Sequence, residues 1–177
     1  MRRNAGGALA RIELQPGDLW RGKDGWKWHR LLRPWVAHVA AAACDAPLTT
    51  LLVGEDASLS FAPIEPAKAQ AILRLWLEAW RAGLEAPLPV ALNTAIAWLN
   101  SGEEGDEDGG TAEKAAREAY EGAYNRSGEV AGSASLARHY PTFDALVADG
   151  DFYAWSRDLY QSLLDHPPEE LTEEACA

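Results

Sequence analysis

The residues with the clearest chemical potential stand close together near the start of the chain. Lys23, Lys27, Arg30 and Arg33 are interleaved with Trp20, Trp26 and Trp28. Cationic side chains alternating with indoles can grip phosphates and stack bases. The same pattern also describes a Trp-rich hairpin packed against its own sheet with charges at the rim, and the residues alone leave both open. His29 and His38, nine positions apart, fall on skewed or opposite faces of a helix, which fits neither joint ligation nor an acid–base pair. They read as ordinary polar positions. The other histidines, His139 and His166, lack the close ligand spacing of a zinc site. Cys44 and Cys176 lie 132 positions apart, so a disulfide framework is excluded. Asp106, Asp108 and Gly110 do not reproduce the spacing of a calcium loop, and neither a phosphate-cradling glycine loop nor a nucleophile elbow occurs. Neither metal nor cofactor is expected.

Charge narrows the partners. The 177 residues carry a formal charge of −11, yet residues 1–38 hold eight Lys/Arg against three acids, a net +5, so the rest carries −16. An acidic body repels phosphate, and any contact with nucleic acid must then come from the first forty or so residues. With 47% apolar residues and eight Trp, the chain can bury a core, and its length suits one domain, or one domain with an appendage. No apolar run reaches the roughly 18 residues of a membrane span, and residues 1–7 lack a secretory apolar segment. A soluble, cytoplasmic protein without membrane contact is expected.

The elements that must position these residues follow from periodicity. Residues 8–15 alternate apolar and polar before Pro16-Gly17, a half-buried strand entering a turn. Residues 18–28 suit a second strand or an irregular hairpin arm. Helical spacing from Lys27 to Cys44 places Leu31, Leu32, Trp35, Val36 and Val39 on one stripe, with a start or a kink at Pro34. Leu48–Gly54 is an apolar, β-branched run of the kind covered on both faces, and Ser58–Ile64 makes its hairpin partner. A helix from Pro66 to Gly83 carries Ile72, Leu73, Trp76, Leu77 and Trp80, assigned to core. Another, marked by Leu92, Ile96 and Leu99, is capped around Asn93-Thr94. The expected fold is α/β, α+β by content: a small, truncated sheet of two to four strands covered by helices, with a helical C-terminal half. The expected divisions are a disordered 1–7, a sheet-and-helix unit 8–100, a flexible acidic loop 101–110, a helical region 111–168 and a solvated tail 169–177.

Several segments also occur in the order of a known family. Gly22-Lys23-Asp24, followed by Trp28-His29-Arg30-Leu31-Leu32-Arg33-Pro34-Trp35-Val36-Ala37-His38-Val39-Ala40, resembles the basic lead-in and helix near the C-terminus of the gamma subunit of exodeoxyribonuclease V, RecC. Thr49-Thr50-Leu51-Leu52-Val53-Gly54 is similar to the next strand, and Ala67 to Gly83 leading into Ala86-Pro87-Leu88-Pro89 is similar to the following passage. Thr94-Ala95 with Ala97-Trp98-Leu99, Tyr120-Glu121-Gly122, Tyr140-Pro141, and Phe152, Trp155, Leu159-Tyr160 and Leu163-Leu164 complete a resemblance over residues 8–165.

That resemblance implies a non-catalytic segment of a RecBCD-type helicase–nuclease that processes broken DNA ends for recombinational repair. Its partners would be RecB-like and RecD-like helicase subunits and the remainder of its own subunit. The implied fold is a restriction-endonuclease-like remnant of a PD-(D/E)XK nuclease. Such an enzyme needs an acid, then an acid followed two residues later by Lys, to hold Mg²⁺ and to position the attacking water. Glu13-Leu14-Gln15 occupies that place with Gln15 in the Lys position, and a neutral amide cannot supply the charge. Cleavage by this chain is therefore not expected. Lys23, Lys27, Arg30 and Arg33 are the DNA-facing candidates. The rival readings are a Mg²⁺-dependent nuclease completed by a partner, and an acidic helical adaptor that never meets nucleic acid.

Overall fold

The computed structural model describes residues 2–3, 9–20, 22, 25–102 and 110–171. In chain order the elements begin with β1 (Arg2–Arg3), β2 (Leu9–Leu14), α1 (Trp28–Ala43), β3 (Leu48–Val53), β4 (Ser58–Phe61), α2 (Pro66–Glu85) and α3 (Leu92–Gly102). They continue with α4 (Gly110–Glu121), β5 (Gly122–Ala123), β6 (Arg126–Ser127), a 3₁₀ turn (Glu129–Gly132), α5 (Ala134–His139), α6 (Phe143–Val147) and α7 (Asp151–Ser156). A π-helical turn (Arg157–Gln161), α8 (Ser162–Leu164) and β7 (Glu169–Glu170) close the chain. The chain forms two compact units, residues 1–74 with 163–177 and residues 75–162. Among the described residues no helix is long and apolar enough to cross a membrane.

The first unit is a mixed sheet in the order β1-β2-β3-β4-β7, with β2 and β3 parallel and the other neighbours antiparallel. A parallel pair needs a crossover, and α1 supplies it. Side chains alternate across a strand, so Leu48, Thr50 and Leu52 of β3 are buried on one face, joined by Leu59 and Phe61 of β4 through the pairs Leu52↔Leu59 and Thr50↔Phe61. The helix α1 lies on that face, burying Leu31, Trp35, His38, Val39 and Ala42, with the Trp35 and Phe61 ring centroids 5.3 Å apart. It begins at Trp28, before Pro34, and holds Pro34 buried inside it. The β3–β4 turn closes with Gly54 N–H donating to the Ala57 carbonyl at 2.9 Å. Glycine is required there because a Cβ would stand 2.7 Å from Cγ of the fully buried Leu19.

The α+β class and the small sheet agree with expectation; the edges differ. Three strands of four to six residues are flanked by two-residue strands, giving five. Arg2 and Arg3, expected to be disordered, pair with Ala10 and Leu9. Glu169 and Glu170, expected in a solvated tail, pair with Ser60 and Leu59, and Leu171 N–H donates to the Ser58 carbonyl at 2.8 Å. Backbone groups make these pairings, so a run of charged residues does not exclude them. Residues 172–177 of that tail lie outside the described residues. Of the expected acidic loop, residues 101–102 close α3 and Gly110 opens α4, while 103–109 also lie outside the described residues. The strand β3 is covered on one face only: Val53 is exposed.

In the second unit, Tyr120, Phe143 and Phe152 are fully buried, with Phe143 and Phe152 edge to face at 6.1 Å. Burial pushes the Tyr120 hydroxyl up to about 12, and it donates to the Tyr140 carbonyl. The start of α3 is capped from a distance. The Glu129 carboxylate accepts from Thr94 N–H at 2.9 Å, Thr94 Oγ1 at 2.9 Å and Asn93 N–H at 3.1 Å. On α2, the stripe assigned to core divides. Ile72 and Ala79 are buried and Trp76 Nε1 donates to the Leu159 carbonyl at 3.1 Å, but Trp80 is 62% exposed, with Leu77 and Leu84 also exposed. Periodicity identifies an apolar face; it does not reveal that part of this face lacks a cover.

Candidate functional site

Two of the basic residues near the Trp cluster make contacts within the chain. Lys23 lies outside the described residues. Lys27 Nζ is 3.1 Å from Asp18 Oδ2, and the Arg30 guanidinium donates to the Pro16 carbonyl. Arg30 lies flat against Gly17, whose φ of +89° and lack of a side chain are both needed, since a Cβ would come within 2.5 Å of the guanidinium. Two of the four DNA-facing candidates therefore fasten the turn at 16–18 that carries the chain from β2 toward α1. Arg33 stands exposed on α1, one turn after Arg30. The indoles behave as a hairpin arm: Trp20 and Trp26 form an isolated bridge and meet edge to face at 4.5 Å.

Glu13 of β2 lies between two donors close to it in sequence. Its carboxylate pairs with the Arg11 guanidinium and accepts from Gln15 Nε2 at 2.9 Å. Register places Arg11 opposite Thr50 and Glu13 opposite Leu52, on the α1-covered face. Gln15 N–H extends the pairing by donating to the Val53 carbonyl at 2.9 Å. Glu13 thus has its charge compensated by Arg11 and one oxygen occupied by the Gln15 amide. Among the described residues no group of three His, Cys, Asp or Glu could hold a metal ion.

His38 is more than an ordinary polar position. It is fully buried, with Nε2 2.9 Å from the Ala62 carbonyl and Nδ1 2.9 Å from Thr50 Oγ1. A carbonyl only accepts, so Nε2 carries the proton and Nδ1 accepts from the Thr50 hydroxyl. Burial holds its pKa below the ordinary value of 6.5, against the opposing pull of the Ala62 carbonyl. The ring stacks on Trp35 at 5.7 Å. The signal is present in the sequence: His38 falls on the helical stripe of Leu31, Trp35 and Val39.

Opposite α1 the sheet is only partly covered by the described residues. The register pairs Ile12 with Leu51 and Leu14 with Val53, so these side chains share a face, and Ile12 is 60% and Leu14 76% exposed. This stripe is the first unit's unsatisfied surface. Monomeric domains seldom leave both faces of a sheet apolar with one open to water.

A mixed sheet with one helix-covered face and, among the described residues, exposed apolar side chains on the other defines a small α+β unit. Residues 4–103 match the family model described as the RecC C-terminal domain, over half of the 177 residues, and the chain belongs to that family. The match spans β2, α1, β3, β4, α2 and α3. No curated protein matches the chain.

Proposed function

We propose that this chain is a non-catalytic scaffolding segment of a RecBCD-type helicase–nuclease, acting in recombinational repair of double-strand breaks. The bare stripe of Ile12, Leu14, Leu51 and Val53 supports this reading most directly. Such a surface is stable in water only at a cost, and family membership points to what covers it: the remainder of the gamma subunit, with RecB-like and RecD-like helicase subunits as further neighbours. The sheet with α1 is read as a remnant of a PD-(D/E)XK core in which Gln15 stands in the Lys position and Arg11 neutralises Glu13. Contact with DNA, if made by the basic segment, falls to Arg33 and Lys23, since Lys27 and Arg30 are tied to the 16–18 turn.

The deciding experiment reconstitutes the helicase–nuclease with this segment supplied in trans and measures assembly together with Mg²⁺-dependent cleavage of labelled single- and double-stranded DNA. The scaffolding reading expects co-elution with the complex and the same cleavage rate with Glu13→Ala as with the unaltered chain. Loss of cleavage in Glu13→Ala, with assembly intact, means that a partner completes a nuclease here. Failure to co-elute leaves the acidic adaptor reading.

A further inference from the structure

The indole pair serves a different chemistry from the phosphate and base contacts that its basic neighbours suggest. Trp20 and Trp26, with planes at 76°, line a surface cavity of about 180 Å³ together with Ala57 and the carboxylates of Asp56 and Glu170. Each acid is delivered by its own backbone. Asp56 sits in the β3–β4 turn and accepts from Leu19 N–H at 2.6 Å and Trp20 N–H at 2.9 Å. Those bonds, Leu19 first, hold its carboxyl below the usual range, so it is ionised at neutral pH. Glu170 reaches the cavity because β7 pairs with β4 through Leu59↔Glu170. Among the described residues, Lys27 is a cation that acts on Asp56, and its ammonium is itself paired with Asp18.

Two acidic residues beside a pair of indoles make a setting that repels phosphate and attracts cations. An ammonium or guanidinium within about 6 Å of an indole face is drawn by the ring quadrupole, most strongly where it sheds water. Size sets the second constraint. Cavities for whole drug-sized ligands run to roughly 300–1,000 Å³, so this one takes a headgroup or a side-chain tip. We propose that the Trp20–Trp26–Asp56–Glu170 cavity is a binding site for an organic cation of that size, an alkylammonium or guanidinium group. The cation belongs either to a partner protein's side chain or to a free polyamine. The site is independent of the scaffolding reading, because none of its residues lies on the bare sheet stripe.

The test titrates the full chain, ¹⁵N-labelled and in roughly physiological salt, with acetyl-trimethyl-lysine amide and with its neutral tert-butyl isostere. The indole N–H signals of Trp20 and Trp26 are followed. The expected result is a saturable shift of both signals by the cation, with at least about tenfold weaker binding of the isostere. Trp20→Ala is expected to weaken the cation by about three- to thirtyfold, and Glu170→Gln by about threefold. Trp20 is 45% exposed and Glu170 pairs through its backbone, so both variants are expected to keep the fold, which circular dichroism checks. Spermidine and a Gly-Lys-Gly peptide form the two further arms. Tighter binding of the peptide assigns the cation to a protein side chain, and tighter binding of spermidine to a free amine. Equal binding of cation and isostere, or unchanged affinity in both variants, overturns the proposal.

Discussion

Replacing Ile12 and Leu14 by Thr tests whether the bare sheet face is a docking surface. Threonine keeps the β-branched geometry that a strand favours, while each change removes apolar surface. Full burial of a Leu or Ile side chain is worth about 1.5–3 kcal/mol. With 60% of Ile12 and 76% of Leu14 open to water, a partner that covers them gains most of that. Substitution by Thr then removes about 1–1.5 kcal/mol at each site, or about 2–3 kcal/mol together. At 1.4 kcal/mol per tenfold, this is roughly a 30- to 150-fold loss of affinity. The isolated chain should change little, because exposed substitutions away from caps and cores stay within about 0.5 kcal/mol. Affinity is read by biolayer interferometry against a helicase–nuclease complex lacking this segment, and stability by urea unfolding. Tyr124→Ser, at a fully exposed ring outside the stripe, is the control. An undiminished affinity in the double variant, or an equal loss in the control, refutes the reasoning.

Other expectations are shorter. Glu129→Ala removes the carboxylate that caps α3 and should cost about 1–2 kcal/mol in urea unfolding; a change below about 0.3 kcal/mol means the cap is dispensable. His38 has a folded pKa below its unfolded 6.5, so the unfolded chain binds more protons and stability rises with pH. That contribution is complete above the unfolded value and is lost as pH falls through the folded one. Unfolding measured from pH 7.5 down to 5 should show the decline, and His38→Gln should flatten it. If single-stranded DNA binds, Arg33→Ala should lower the salt slope by about one, while Arg30→Ala should leave it unchanged. The reverse outcome would return the phosphate contact to the 16–18 turn.

Most of the fold is legible from residue order. The alternation in β2, the β-branched run of β3 and its hairpin with β4, the stripe of α1 and the span of α2 all reflect contacts between residues two to four positions apart. The contact between Glu13 and Gln15 is likewise local, because residues two apart along an extended chain share a face whatever surrounds them.

Other features depend on residues far apart, and only tertiary structure decides them. That Lys27 and Arg30 fasten a turn depends on Asp18 and on the Pro16 carbonyl. The cap on α3 comes from Glu129, the bare sheet face from the want of a second covering helix among the described residues, and the acid-lined indole cavity from Asp56 and Glu170. Local sequence dictates which way a side chain points along its own strand or helix. Which charge or surface it meets is set by chain returning from dozens of residues away, and periodicity carries no record of that.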